Sequence, residues 1–250
     1  ISNFQSSILN FKLLSMRFDI ITIFPGAFSY LGESIIKRAV DKKLLDIHIH
    51  DLRAFAHDKH RRVDDRPYGG GAGMVMKVDP IYKAVEHIKK LTARKRYKKT
   101  RVILLAAKGK RFVQKKAQQL ARYDHIIFIC GHYEGVDERV ARYIADEELS
   151  IGDYGLTGGE LPAMVVLDAV ARHVPGVIKD ASLGQESFGA RKGHNSILEY
   201  PHYTRPELFV PKGNKDKKAR PWEVPKVLLG GNHAKIERWK EIHRKSCGRG

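Results

Sequence analysis

Side chains able to do chemistry concentrate in three glycine-bearing stretches: Ala106-Ala107-Lys108-Gly109, Gly131-His132-Tyr133-Glu134-Gly135, and Ser150-Ile151-Gly152-Asp153-Tyr154-Gly155-Leu156-Thr157-Gly158-Gly159-Glu160. Each follows an apolar run that reads as a strand, and in a parallel sheet ligands collect where loops leave the carboxyl ends of the strands. Glycine there lets backbone come close to a ligand. Glycines that merely make turns are the competing reading for any one loop, and the coincidence of three shifts the balance toward a pocket. Neither G-x-G-x-x-G opening a helix nor G-x-x-x-x-G-K-[ST] occurs, so the pyrophosphate-cradling folds are unsupported. What remains is a site of backbone hydrogen bonds and apolar side chains, suited to an adenine and ribose without a phosphate tail.

A fourth stretch, Asp64-Asp65-Arg66-Pro67-Tyr68-Gly69-Gly70-Gly71-Ala72-Gly73-Met74, is too flexible for regular structure and too rich in hydrogen-bonding groups for a plain linker. Tyr68 can stack on a base and Arg66 can meet a phosphate or a guanine edge. An Asp-Arg pair capping a turn accounts for the same residues equally well. Asp65, Arg66 and Tyr68 are the substrate-binding candidates here.

The elements that must hold these loops follow a βα rhythm. Short β-branched runs at residues 18–24, 47–50, 102–106 and 126–130 alternate with amphipathic stretches at 30–40, 112–122 and 136–144. That predicts an α/β fold with a mostly parallel sheet. A further helical pattern runs through Met164, Val165, Leu167, Asp168 and Val170 to Arg172, and Pro175-Gly176 breaks it. The expected organisation is a leader at residues 1–15, an α/β domain at 16–178, an interdomain linker at 179–198 and a small basic helical domain at 199–250. The last contains a helix at about 233–244 carrying Ile236, Trp239 and Ile242. Residues 1–15 lack the basic and apolar regions of a signal peptide, and Met16 reads as the natural start.

The chain has 46 Lys plus Arg against 28 Asp plus Glu, a net charge of +18 that makes a polyanion the first partner to consider. The excess is local: residues 89–116 hold thirteen basic residues and no acid, and residues 199–250 hold thirteen against six. Solvated lysine-rich loops are the bland alternative. Two cysteines are too few for a disulfide framework, and without a paired Cys/His pattern no structural zinc site is expected. With so few cysteines a reducing cytoplasm is the expected setting, and no apolar run reaches the roughly 18 residues of a membrane span, so no membrane contact is expected.

Gly131-His132-Tyr133-Glu134-Gly135-Val136-Asp137-Glu138-Arg139, residues 150–163 and Pro201-His202-Tyr203-Thr204-Arg205-Pro206 together resemble the bacterial tRNA (guanine-N1)-methyltransferases that modify guanine 37. The similarity runs in the same order from Met16 to about Lys240 and includes residues 64–74 and 168–172. It implies the SPOUT class: an α/β domain with a deep C-terminal trefoil knot, a small helical tail domain, and a homodimer with its active site at the subunit interface. S-adenosylmethionine is then expected within the knot loops at Ala106, Ala107, Gly131, Glu134, Ile151, Gly152, Asp153, Tyr154, Gly155 and Leu156, with tRNA as the partner. The resemblance implies Glu186, before Ser187-Phe188, as the base that takes the guanine N1 proton, and Arg172 as the cation that stabilises charge on O6. It adds His202 and Arg205 to the tRNA-binding candidates. Dependence on Mg²⁺ is also implied, with no metal ligands evident and Asp153 and Glu134 as contributors.

The chain departs from the family pattern in five places, one being a stretch after Arg172 that is one residue shorter. Glu186 stands where aspartate is familiar, alanines occupy 106–107 where Ser-Pro is common, residues 209–221 form a lysine-rich insertion, and the tail stops soon after the 233–244 helix. Two other readings remain open at this point. One is a non-catalytic RNA-binding protein that keeps the fold; the other is a different SPOUT enzyme acting on ribosomal RNA or a ribose hydroxyl.

Overall fold

The computed structural model describes residues 15–93, 97–178, 199–211 and 221–244. The chain divides after Ile178 into two compact units. In the first, strands β1 (Met16–Thr22), β2 (Leu45–Asp51), β3 (Asp64–Asp65), β4 (Val75–Met76), β5 (Thr100–Arg111), β6 (His125–Cys130) and β7 (Glu147–Ser150) alternate with helices. These are α1 (Ser34–Asp41), α2 (Val78–Ala93), α3 (Gln114–Leu120), α4 (Glu138–Tyr143) and α5 (Glu160–Ala171).

Five strands form one sheet in the order β2-β1-β6-β5-β7, every neighbouring pair parallel. The near-continuous apolar runs explain this: β1 and β6 are buried along their whole length, as strands covered on both faces must be. Phe18, Ile20, Ile103, Phe128 and Leu149 face α1, α3 and α5 on one side. Ile21, Val102, Leu104, Ile127 and Ile129 face α2 and α4 on the other. Helix α2 was not part of the sequence expectation, although Ile81, Ala84, Val85 and Ile88 lie at i, i+3, i+4 and i+7 and are buried. Its lysines draw the eye to charge rather than period.

One polar cluster sits inside the sheet. Asp19 is fully buried and accepts hydrogen bonds from Arg17 at 2.6 and 2.9 Å, His50 Nε2 at 2.6 Å and His125 Nε2 at 2.7 Å. Burial by itself would raise the Asp19 pKa; the bonds from His125, His50 and Arg17 outweigh it and hold the carboxyl far below the usual carboxylate range.

The second unit is small. Strands β8 (Leu208–Phe209) and β9 (Trp222–Glu223) pair antiparallel, and helices α6 (Lys226–Leu229) and α7 (His233–His243) follow. Asn232 caps α7 by accepting from the Lys235 N–H at 3.1 Å. Of the expected apolar stripe, Ile236 and Trp239 are half-buried and Ile242 is exposed. Trp239 lies edge-on to Tyr203 and stacks on His243 in the last turn of α7, with ring centroids 4.0 Å apart in the stacked pair. Lys240 and Arg244 stand over the Tyr200 ring at 5.2 and 5.7 Å.

Candidate active site

The glycine loops meet at the carboxyl end of the sheet. Strand β5 pairs with β7 twice: Leu105 and Lys110 both oppose Leu149, so the residues between them bulge away from the ladder. That bulge is the first loop. The second and third are tied to each other by the Gly159 N–H donating to Gly131 O at 2.7 Å and by a bridge between His132 and Gly158. A Cβ on Gly159 would stand 2.7 Å from Cys130 Cα and 2.8 Å from Gly131 N, so only glycine lets α5 begin this close to the end of β6.

Together the loops enclose a cavity of about 470 Å³. Ala106 and Ala107 line it from the first loop, Gly131 and Glu134 from the second, and Ile151, Gly152, Tyr154, Gly155 and Leu156 from the third. Asp153 does not line it; its exposed carboxylate stands 3.6 Å from Arg111. Lys108 at the cavity edge ion-pairs with Glu138 and lies 3.7 Å from Glu148, which anchors the first loop to α4 and β7. Hydrogen bonding to Glu138 raises the Lys108 pKa.

The hairpin of β3 and β4 is fastened to the same place. Met76 N–H donates to Gly135 O at 3.0 Å, Glu134 N–H to Met74 O at 3.1 Å, and Asp137 N–H to Met76 O at 3.0 Å. Gly73 sits at φ +80°, a conformation that favours glycine, and packs against the Glu134 side chain. The hairpin thereby carries Asp65, Arg66 and Tyr68 beside the second loop. Asp65 accepts from the Arg66 backbone N–H at 2.8 Å, while the Tyr68 ring is wholly exposed.

Arg172 caps the carboxyl end of α5, whose first turn touches the cavity through Pro162, and it is not among the lining residues. His202 and Arg205 are exposed in the second unit, His202 Nε2 lying 3.1 Å from Glu199. Glu186 falls outside the described residues. Among the described residues no three His, Cys, Asp or Glu side chains are grouped to hold a metal.

Sequence reasoning passed over a buried polar pair behind the loops. Glu160, buried at the first position of α5, accepts from the Thr22 hydroxyl at 2.7 Å. Beside it, burial and then the Glu160 charge push the Cys130 thiol well above its usual pKa. A glutamate in the first turn of a helix reads as ordinary dipole complement, and Thr22 as an ordinary strand residue. Nothing local signals that they meet.

A family model described as tRNA (Guanine-1)-methyltransferase TrmD matches residues 16–249. Similar proteins named tRNA (guanine-N(1)-)-methyltransferase include one from Geobacillus kaustophilus, 51% identical over 228 residues that span 90% of this chain and 85% of the relative. Another, from Dehalococcoides mccartyi, is 49% identical over 227 residues, spanning 90% and 84%. A third, from Clostridioides difficile, is 48% identical over 226 residues, 90% of each.

Proposed function

Because the chain belongs to the tRNA (guanine-1)-methyltransferase family, we propose that it transfers the methyl group of S-adenosylmethionine to N1 of guanine 37 in tRNA, as a homodimer with active sites at the subunit interface. Methylation of a tRNA guanine at N1 is the activity of the family. The observation that carries the finer reading is the cavity: about 470 Å³, walled by three backbone-rich loops and apolar side chains, a fit for a nucleoside without phosphates.

S-adenosylmethionine, when bound there, supplies a methyl already activated by its sulfonium, so the protein's work falls on the guanine. N1 of the neutral base carries a proton and offers no good lone pair. Glu186 accepts that proton; N1 then bonds to the methyl carbon while the carbon–sulfur bond breaks and its electrons stay on sulfur. Arg172 offsets the negative charge that builds on O6. Tyr68 and Arg66 engage the substrate from the hairpin, and the basic residues of both units, with His202 and Arg205, position the phosphates.

The dimer has support in α5. The helix is apolar on nearly every side, yet Leu161 and Val165 are 57% and 47% exposed, and they continue through Asp168 to Arg172 on one stripe. An antiparallel pair of such stripes about a twofold axis covers both apolar faces. It also answers a distance problem: twelve residues of helix, about 18 Å, separate the cavity end of α5 from Arg172 in one subunit. Arg172 supplied by the second subunit has no such gap to cross. The knot belongs to the same proposal, supported by the second β5–β7 pairing beyond the first loop and by the Gly131–Gly159 link. The cytoplasm, where tRNA is processed, is the compartment that goes with this reading; no described helix is long and apolar enough to cross a membrane.

Mixed dimers test the shared site. Gly155→Trp fills the cavity from a position with open space around it, and Arg172→Ala removes the cation. Each homodimer is expected to be inactive, whereas mixing the two regains activity because one site of the mixed dimer combines both intact parts. Mixed dimers as inactive as the parents would contradict an interface site.

A further inference from the structure

The hairpin of the small unit carries aromatic side chains that the unit's own packing leaves open. Strands β8 and β9 place Phe209 opposite Trp222, so both side chains stand on one face of the hairpin. Their ring centroids are 5.4 Å apart, the planes tilted by 38°, and the residues remain 47% and 65% exposed. The other rings of the unit are partnered differently. Trp239 packs against Tyr203 and His243, and Tyr200 sits under Lys240 and Arg244. Among the described residues the only ring packed on Trp222 is Phe209, and no cation stands over either. Tryptophan is highly buried on average, so one left this open forgoes burial that would stabilise so small a unit.

The sequence that joins the two strands is basic: residues 210–221 include five Lys or Arg and one acid. These residues belong to the lysine-rich insertion that departs from the family pattern. Flat apolar rings beside positive charge suit a polyanion whose units carry π-faces, which is a nucleic acid with unpaired bases. We infer that the β8–β9 hairpin is an additional tRNA contact, in which an unpaired base stacks on Trp222 while Phe209 braces the indole. The basic joining sequence supplies attraction for the phosphate backbone. This inference rests on the reading of tRNA as the substrate. Neither Phe209 nor Trp222 lines the three-loop cavity, so their role is to hold tRNA and not the methyl donor.

The chain has two tryptophans, so full-length Trp239→Phe protein reports from Trp222 alone. Unmodified tRNA should quench that emission saturably, since a stacked base quenches an indole. With the second tryptophan restored, Trp222→Ala should raise both the Kd and the KM for tRNA about fivefold or more, with little change in kcat or in S-adenosylhomocysteine affinity. Trp222→Phe keeps a π-face and should stay within about twofold of wild type, whereas Trp222→Leu should behave like Trp222→Ala. Trp222 emission unmoved by saturating tRNA overturns the inference, and so does a folded Trp222→Ala protein with wild-type affinity for tRNA. A Trp222→Ala protein that changes its sedimentation but keeps that affinity also overturns it, making the hairpin a contact between copies of the chain. The emission decides the matter even where a Trp222 variant fails to fold. A wild-type protein that binds no tRNA is a separate result, which removes the substrate reading and this inference with it.

Discussion

Replacing Gly159 by alanine should damage the protein far more than replacing Gly155 in the same loop. The new methyl at 159 would lie 2.7 Å from Cys130 Cα and 2.8 Å from Gly131 N. Carbon contacts are comfortable at about 3.5–4.0 Å, so two pieces of backbone must separate by roughly 1 Å. Neither can rotate out of the way as a side chain would. Overpacking of this kind costs about 1–3 kcal/mol, and straining the 2.7 Å bond from Gly159 N–H to Gly131 O adds about 1 kcal/mol. The total of roughly 2–4 kcal/mol corresponds to a fall in Tm of about 5–15 °C for a protein of this size. At Gly155 a Cβ meets no described atom within 4 Å, so Gly155→Ala should stay within about 0.5 kcal/mol of wild type. Thermal unfolding at fixed protein concentration measures both, and calorimetry with S-adenosylhomocysteine should show at least tenfold weaker binding for Gly159→Ala. A Gly159→Ala protein with wild-type Tm and affinity would refute the close approach of α5 to the end of β6.

Three further outcomes are expected. Asp19→Asn removes the charge opposite Arg17, which is 4% exposed, and should destabilise by about 3–5 kcal/mol at pH 7 in denaturant unfolding. Because the folded pKa of Asp19 is depressed, its contribution is present above the ordinary carboxylate pKa and is lost as pH falls; the gap between wild type and variant should narrow by about 1.4 kcal/mol per pH unit below roughly pH 4, and a gap that is constant from pH 7 to pH 3 contradicts this. Leu161→Glu with Val165→Glu puts charge on the exposed stripe of α5 and should shift the protein to monomer in analytical ultracentrifugation, with loss of methyl transfer; a dimer that survives both changes argues for another interface. Binding of tRNA should weaken with salt at a logarithmic slope of about −0.9 per duplex phosphate and about −0.7 per single-stranded one, and salt-independent binding would deny the basic surfaces their role.

The sheet was legible because parallel strands buried on both faces leave nearly unbroken apolar runs, as in residues 126–130, and because Pro175-Gly176 ends α5 visibly. Boundaries drifted where tertiary pairing decides them. Strand β5 runs to Arg111, past the apolar run that ends at Ala106, because its far end finds Leu149 and Ser150 of β7. The glycine loops declared themselves through residue type. Asp153, by contrast, shares the loop of its lining neighbours yet turns toward Arg111, which no spacing encodes. Arg172 illustrates the same limit: its place at the end of a helix is readable, while its distance from the cavity emerges only once α5 is laid out from Glu160. The Thr22–Glu160 contact joins residues 138 positions apart, and Asp19 with His125 joins residues 106 apart; only the assembled sheet brings such pairs together.

The central claim is that the three-loop cavity presents a sulfonium methyl to a guanine ring nitrogen that an acid has stripped of its proton. Methyl-labelled S-adenosylmethionine, unmodified tRNA bearing guanine at positions 36 and 37, and nucleoside analysis of the digest test it most directly, with the Glu186→Gln protein run beside the wild type. The predicted result is label in 1-methylguanosine at position 37 with wild-type protein and little or none with Glu186→Gln. Label in another nucleoside, none from a folded protein that binds S-adenosylhomocysteine, or an unimpaired Glu186→Gln protein would contradict the account.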